Sequence, residues 1–202
     1  PGCDRAYHLV DERRVGHAPA TLTTAARSAM PLTSLTAYEA LFEQLHIPFD
    51  PAKPNSEKCN QTILIINGAG GVGSIATQLA KLAGLTVISS ASRPESIAWT
   101  QQHGADLVVD HHHDLVSEVH ALGIKDVDYI LGLSDLDSHW NEICTLIKPG
   151  GHIASITENR RPIDLKKLTK KRGTFAWEWM YSKSYYHTAD MISQHDILET
   201  IA

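Results

Sequence analysis

Cysteine is scarce in this chain of 202 residues: Cys3, Cys59 and Cys144 are an odd number with no pair spacing. That excludes a disulfide framework and fits reduced thiols, so a cytoplasmic protein is expected. No apolar run approaches the length of a membrane span, and the N-terminus has no basic region followed by an apolar stretch. Neither a membrane partner nor a secretory leader is expected. Positive charge is not in excess, with 18 Lys and Arg against 23 Asp and Glu and a net charge of −5. A nucleic-acid partner, which needs a basic face, is therefore not expected. The patterns C-x-x-C, H-E-x-x-H and G-x-S-x-G are absent, so the usual signatures of zinc sites and acyl transfer are missing. An initiator methionine is missing too, and Ile197–Ala202 is a helical pattern without a stop signal. The expectation is a fragment of a longer protein.

Hydrophobic residues make up 43% and charged residues 20%, which supports a packed core. The most informative stretch is Thr62–Gly73, T-I-L-I-I-N-G-A-G-G-V-G. The run Ile63–Ile66 suits a strand buried on both faces. Gly68, Gly70 and Gly73 follow at G-x-G-x-x-G spacing, and Ser74–Leu82 continues as an amphipathic helix. Strand, glycine turn and helix form the dinucleotide fingerprint. The first glycine permits the tight turn, the second lets backbone approach a pyrophosphate, and the third lets the helix pack on the strand. The free N–H groups and the positive end of the helix dipole then hold phosphate.

Upstream, Ala6–Val10 reads as a strand and Pro19–Thr23 introduces a short helix. Thr36–Leu45 has helical spacing, with Tyr38, Leu41, Phe42 and Leu45 apolar, and stops before Pro48. Downstream the pattern alternates. Strands are predicted at Leu85–Ser90, Asp106–Asp110, Asp128–Leu131 and His152–Thr157. Helices are predicted at Pro94–Gln102, Asp114–Leu122 and Ser138–Ile147. Pro149–Gly151 reads as a turn, and Thr174–Met180 as a sixth strand at the sheet edge. The fold class is thus α/β: a doubly wound parallel Rossmann sheet with helices on both faces.

The adenosine ribose is read about 20 residues after the glycines, at the end of the second strand, where a carboxylate selects a free 2′-hydroxyl. Here that strand ends Ser89-Ser90-Ala91-Ser92-Arg93, with no carboxylate before Glu95. Ser92 can donate to a 2′-phosphate and Arg93 can pair with it, which favours NADP(H) over NAD(H).

An ordered set of motifs now stands out: Leu32–Phe42 (L-T-S-L-T-A-Y-E-A-L-F), Gly68–Gly73, Gly104-Ala105-Asp106, Lys148-Pro149-Gly150-Gly151 and Trp177-Glu178-Trp179-Met180. It resembles the medium-chain dehydrogenases/reductases, in particular the quinone-oxidoreductase-like or zinc-type alcohol dehydrogenase-like branch. The resemblance implies a GroES-like catalytic lobe, of which only remnants at the termini are present, and a Rossmann lobe. The implied divisions are residues 1–30, 31–180 and 181–202: the end of the catalytic lobe, the NADP-binding domain and the start of a returning segment. It places Thr33 and Thr36 at the lobe junction near the nicotinamide, Gly70, Gly71 and Val72 along the pyrophosphate, and Ser92 and Arg93 at the 2′-phosphate. His111 would lie by the adenosine phosphate. Gly132-Leu133-Ser134 and Ile156-Thr157 would face the nicotinamide, a placement that also follows from ligands sitting outside the carboxyl ends of parallel strands.

The implied activity is NADPH-dependent hydride transfer to a small-molecule acceptor, an unsaturated carbonyl or quinone, with catalytic residues in the lobe that is not here. Two alternatives stay open: a zinc-dependent alcohol dehydrogenase relative and a nucleotide-binding module without catalysis. A fragment of this kind is expected to bind NADPH with weak or moderate affinity and to turn over little. His111-His112-His113 reads as a solvated loop and no metal is expected, because adjacent loop residues diverge and structural zinc wants four convergent ligands. The basic run Lys166–Arg172 reads as a solvated face and the aromatic cluster Trp177–Tyr186 as packing or interface. A homodimer through the sheet edge is expected.

Overall fold

The computed structural model describes residues 6–54 and 60–202; Cys3 and Cys59 lie outside them. The chain divides into two compact units, one of Thr36–Glu178 and one made from the stretch up to Leu35 together with Trp179–Ala202.

Helix α1 (Thr24–Tyr38) supplies its last turn to the Thr36–Glu178 unit and passes into a π-helical segment, Glu39–Gln44. The predicted single helix thus changes its winding at Glu39. Six strands and five helices follow: β1 (Thr62–Ile66), α2 (Gly71–Leu82), β2 (Thr86–Ser90), α3 (Pro94–Gln102), β3 (Leu107–Val109), α4 (Leu115–Ala121), β4 (Val127–Gly132), α5 (Leu136–Leu146), β5 (Ile147–Ser155), α6 (Lys166–Thr169) and β6 (Thr174–Trp177). The strands form one sheet in the order β3-β2-β1-β4-β5-β6, every pair parallel. This is the doubly wound arrangement that alternating strands and helices predict.

Strand alternation sorts the apolar residues onto two faces. Ile63, Ile65, Val87, Leu131 and Ala154 belong to a cluster with Ala76 and Leu79 of α2 and with Leu41 and Leu45 of the junction. Leu64, Ile66, Ile88, Ile130 and Ile153 belong to a second cluster with Leu115 and Val119 of α4 and Trp140 and Ile143 of α5. Both faces are covered, so the β1 run is continuous rather than alternating.

Two expectations for the Thr36–Glu178 unit need correction. Pro149–Gly151 is not a turn after the helix; α5 stops at Leu146 and β5 runs through these residues. Gly151 is needed for proximity, because a Cβ there would lie 2.8 Å from the Asp128 carbonyl and 2.7 Å from the Ile147 side chain. The β4–β5 register shifts at this place, and Lys148 pairs with Asp128, whose carboxylate also accepts from the Thr62 N–H. The basic run is also not wholly solvated: the Lys171 ammonium donates to the carbonyls of Thr145 (2.7 Å) and Ile147 (2.6 Å), capping the end of α5.

The other unit holds a 3₁₀ turn (Glu12–Arg14), the first turns of α1, α7 (Ser182–Tyr186) and α8 (Ser193–Ile201). Its two sequence segments are joined by His17 on Glu199 (2.9 Å) and His195 on the Val15 carbonyl (2.6 Å). The predicted strand at Ala6–Val10 is not formed. Tyr7 and Leu9 are almost fully exposed, Ala6 and Tyr7 lie in a bend, and among the described residues no strand lies beside them to complete a ladder. Among the described residues no helix is long and apolar enough to cross a membrane.

Candidate functional site

The carboxyl ends of β2, β1, β4 and β5 meet along one rim of the sheet, each tied to its neighbour just past the strand. Gly68 N–H donates to Ser90 O (3.1 Å), Leu133 N–H to Ile66 O (3.3 Å), Ile156 N–H to Gly132 O (3.2 Å) and Ala91 N–H to Val109 O (3.0 Å). The glycine turn, the Ser92–Arg93 corner, Leu133-Ser134 and Ile156-Thr157 therefore sit on the same rim.

Within the turn, Asn67 takes φ +66° and its N–H donates to Ser90 Oγ at 2.8 Å. A Cβ on Gly68 would stand 1.8 Å from Ser89 Oγ, and one on Gly73 would stand 2.6 Å from Gly68 O and 2.7 Å from Asn67 O. These two glycines are required by close approach. Gly70 differs: a Cβ there would meet only Asn67 atoms at 3.5 Å, an ordinary contact. Gly70 is also the N-cap of α2 and offers no capping side chain. The N–H groups of Gly71, Val72 and Gly73 are first-turn donors with no helical carbonyl four residues back. An uncapped helix start in an open glycine bend fits a diphosphate. α2 begins at Gly71, three residues earlier than its periodicity suggests, because glycines carry no apolar signal.

Next to the turn, Ser74 Oγ donates to Gly70 O (2.8 Å) and accepts from Trp99 Nε1 (2.7 Å), which ties α3 to the first turn of α2. Ser92 is half-buried and Arg93 exposed, its guanidinium reaching Ser96 Oγ at 3.4 Å. His111 Nδ1 lies 3.2 Å from Ser90 Oγ, and burial lowers its pKa, favouring the neutral ring. On the other half of the rim Leu133 is buried, and Ile156 and Thr157 are half-buried; Thr36, in the last turn of α1, is buried. Ser155 Oγ bridges to Thr157 O (3.1 Å) and accepts from Thr157 N–H (3.2 Å), shaping that bend.

One feature was invisible in the sequence. Glu178, at the end of β6, is buried together with Glu39 of the π-helical segment, 5% and 2% exposed. The two carboxyls hydrogen-bond, and Gln44 Nε2 donates to Glu178 Oε2 at 3.2 Å. Burial first, and then the negative neighbour Glu39, raise the Glu178 carboxyl to about 8.

Among the described residues, metal and thiol chemistry find no support. His112 lies 3.9 Å from Asp110 and His113 3.5 Å from Glu118, while His111 is on Ser90, so the three imidazoles do not converge. Among the described residues no group of three or more His, Cys, Asp or Glu could hold a metal ion. These residues do not fit zinc. Burial raises the Cys144 thiol to about 11, which makes it a packing residue.

Comparison with known proteins gives a consistent answer. The family model for zinc-binding dehydrogenase matches residues 71–194. The zinc-type alcohol dehydrogenase-like protein of Staphylococcus epidermidis is 43% identical over 200 residues, covering 99% of this chain and 58% of that protein. A crystal structure from Rhizobium etli CFN 42, provisionally assigned as a zinc-dependent alcohol dehydrogenase, is 40% identical with a TM-score of 0.86, covering 96% of this chain and 55% of that one. The quinone oxidoreductase of Thermus thermophilus, solved also with NADPH, shares the fold at a TM-score of 0.68 and 23% identity, over 91% of this chain and 54% of that one. The chain spans somewhat more than half the length of these relatives.

Proposed function

Because the chain belongs to the zinc-binding dehydrogenase family, within the medium-chain dehydrogenase/reductase superfamily, we propose that its Thr36–Glu178 unit is the NADP(H)-binding part of an oxidoreductase. The acceptor class is an unsaturated carbonyl or a quinone. The single observation that carries this reading is the open, uncapped glycine bend beside a strand end that bears Ser92 and Arg93 and no carboxylate.

In this reading the amides of Gly71, Val72 and Gly73 hold the diphosphate, Gly70, with no side chain, lets it approach, and Gly68 makes the turn that presents them. Ser92 and Arg93 hold the 2′-phosphate, where a carboxylate would repel it. His111, in its neutral form, borders the adenosine. Thr36, Leu133, Ser134, Ile156 and Thr157 line the nicotinamide side, with Leu133 keeping water away. When bound, the dinucleotide supplies or accepts the hydride; the chain contributes position and field. Stabilising charge on the acceptor needs a pocket rich in donors, which we assign to a GroES-like lobe that residues up to about 30 and from 181 onward would border. The protein works in the cytoplasm as a homodimer through the outer edge of β6. Neither nucleic acid nor membrane is a partner.

The test is a titration of NADPH against NADH, followed through Trp99 fluorescence next to the helix start. NADPH is expected to bind at least tenfold tighter, and Arg93→Ala to remove most of that preference while leaving NADH affinity unchanged. Equal affinities in the unaltered chain, or a preference that survives Arg93→Ala, would overturn the NADP(H) assignment.

A further inference from the structure

The Thr36–Glu178 unit begins three residues before Glu39 and ends at Glu178. The two places where the chain passes into and out of this unit are therefore joined, inside it, by a contact between two buried carboxyl groups. Two carboxylates cannot be buried in contact without a proton between them. Each carboxyl is also attached to one wall of the nicotinamide side. Glu39 is one helical turn after Thr36, and the Glu178 N–H donates to Ser155 O at 2.9 Å, immediately before Ile156-Thr157.

We propose that Glu39 and Glu178 share a single proton that fastens the helix bearing Thr36 to the strand end bearing Ile156-Thr157, so that this wall of the site is assembled only while the proton is held. For its effect on binding, the inference rests on the nucleotide site proposed above. Both glutamates are positioning residues, acting through Thr36 and Ser155.

The neighbouring groups favour keeping the proton. Glu43, on the same π-helical segment, adds a second negative field at Glu178. Gln44 is neutral, and the hydrogen bond it donates to Glu178 works the other way but is outweighed by burial and the two negative neighbours; the Ser155 carbonyl holds only the Glu178 main-chain N–H. In the protonated state Glu178 donates to Glu39, while its Oε2 accepts from Gln44. When the proton leaves, two negative charges face each other in a buried site, and the junction segment and the end of β6 are driven apart. The loss belongs on the alkaline side, as pH rises through about 8.

The experiment uses the 202-residue chain and two readouts. In difference infrared spectra at neutral pH, a protonated carboxylic-acid carbonyl band is expected that titrates away in alkali and is missing from Glu178→Gln. NADPH and NADH affinities measured between about pH 7 and about pH 9.5 are expected to fall at least fivefold in the unaltered chain. They should stay flat in Glu178→Gln, whose amide still donates to Glu39 but cannot ionise. If that variant fails to fold, Glu39→Gln makes the same test from the other side. Absence of the band, or an alkaline loss that persists in the glutamine variants, overturns the proposal. Should neither dinucleotide bind at any pH, the cofactor reading fails, while the band and its loss in Glu178→Gln still decide whether the shared proton exists.

Discussion

Gly70 and Gly73 belong to one turn, yet a methyl group added at each meets different surroundings. At Gly73 it would press on the backbone of Gly68 and Asn67, which cannot give way without opening the turn. Gly73→Ala is therefore expected to cost about 1–3 kcal/mol of stability, read as a lower denaturation midpoint in urea. At Gly70 the methyl group meets only an ordinary contact, and φ is −72°, which alanine adopts freely. Gly70→Ala should keep stability within about 0.5 kcal/mol but weaken dinucleotide affinity roughly tenfold, because the methyl occupies space a diphosphate needs. If both variants lose stability and affinity together, the turn is a structural feature and the phosphate role fails. The spacing of the glycines was legible in the sequence; which of them serves packing and which leaves room was not, since that depends on how the turn folds Gly73 onto Asn67 and Gly68, and Gly68 onto Ser89 a strand away.

At the scale of elements, the Gly104–Asp106 motif becomes a joint. Gly104 takes φ +102° after α3, and Asp106 then presents its carboxylate to the Val87 N–H (2.7 Å) and the Lys81 ammonium (2.8 Å). One side chain thus ties the start of β3 to β2 and to the last turn of α2. Asp106→Ala leaves the amide of the buried Val87 without its acceptor and is expected to cost about 1–3 kcal/mol. Hydrogen exchange should then speed up at Val87 before the rest of the sheet. Exchange unchanged there would show that Asp106 is an ordinary surface residue. The strands and helices of this unit were readable because both faces of the sheet are covered, which makes each strand a short apolar run and each helix an amphipathic one. The misread elements had a different origin. Ala6–Val10 has strand-like residues but, among the described residues, no strand beside it, and in Pro149–Gly151 only Gly151 serves closeness to Asp128 while β5 runs on through all three. The pairing of Glu39 with Glu178 joins the two ends of the unit, beyond the reach of any local pattern.

For the whole molecule, the sheet order leaves β6 at one edge, with Thr174 and Trp177 exposed on it. Exposed edges are either blocked or paired, and the homodimer proposed above pairs this one. Sedimentation equilibrium at micromolar concentration is expected to find dimers, and Thr174→Lys to shift them to monomers without changing the circular dichroism. A monomeric unaltered chain would remove the edge from consideration.

The Thr36–Glu178 unit is one unbroken stretch of sequence, whereas the other unit is assembled from two stretches that lie on either side of it. Modularity here is one-sided. A gene segment for residues 36–178 could be lifted out and transplanted as a cassette with its sheet complete, while the flanking sequence could be rewritten on its own. Diversification of such a protein therefore has a natural direction: a constant cartridge in the middle of the sequence, and flanks that are free to change.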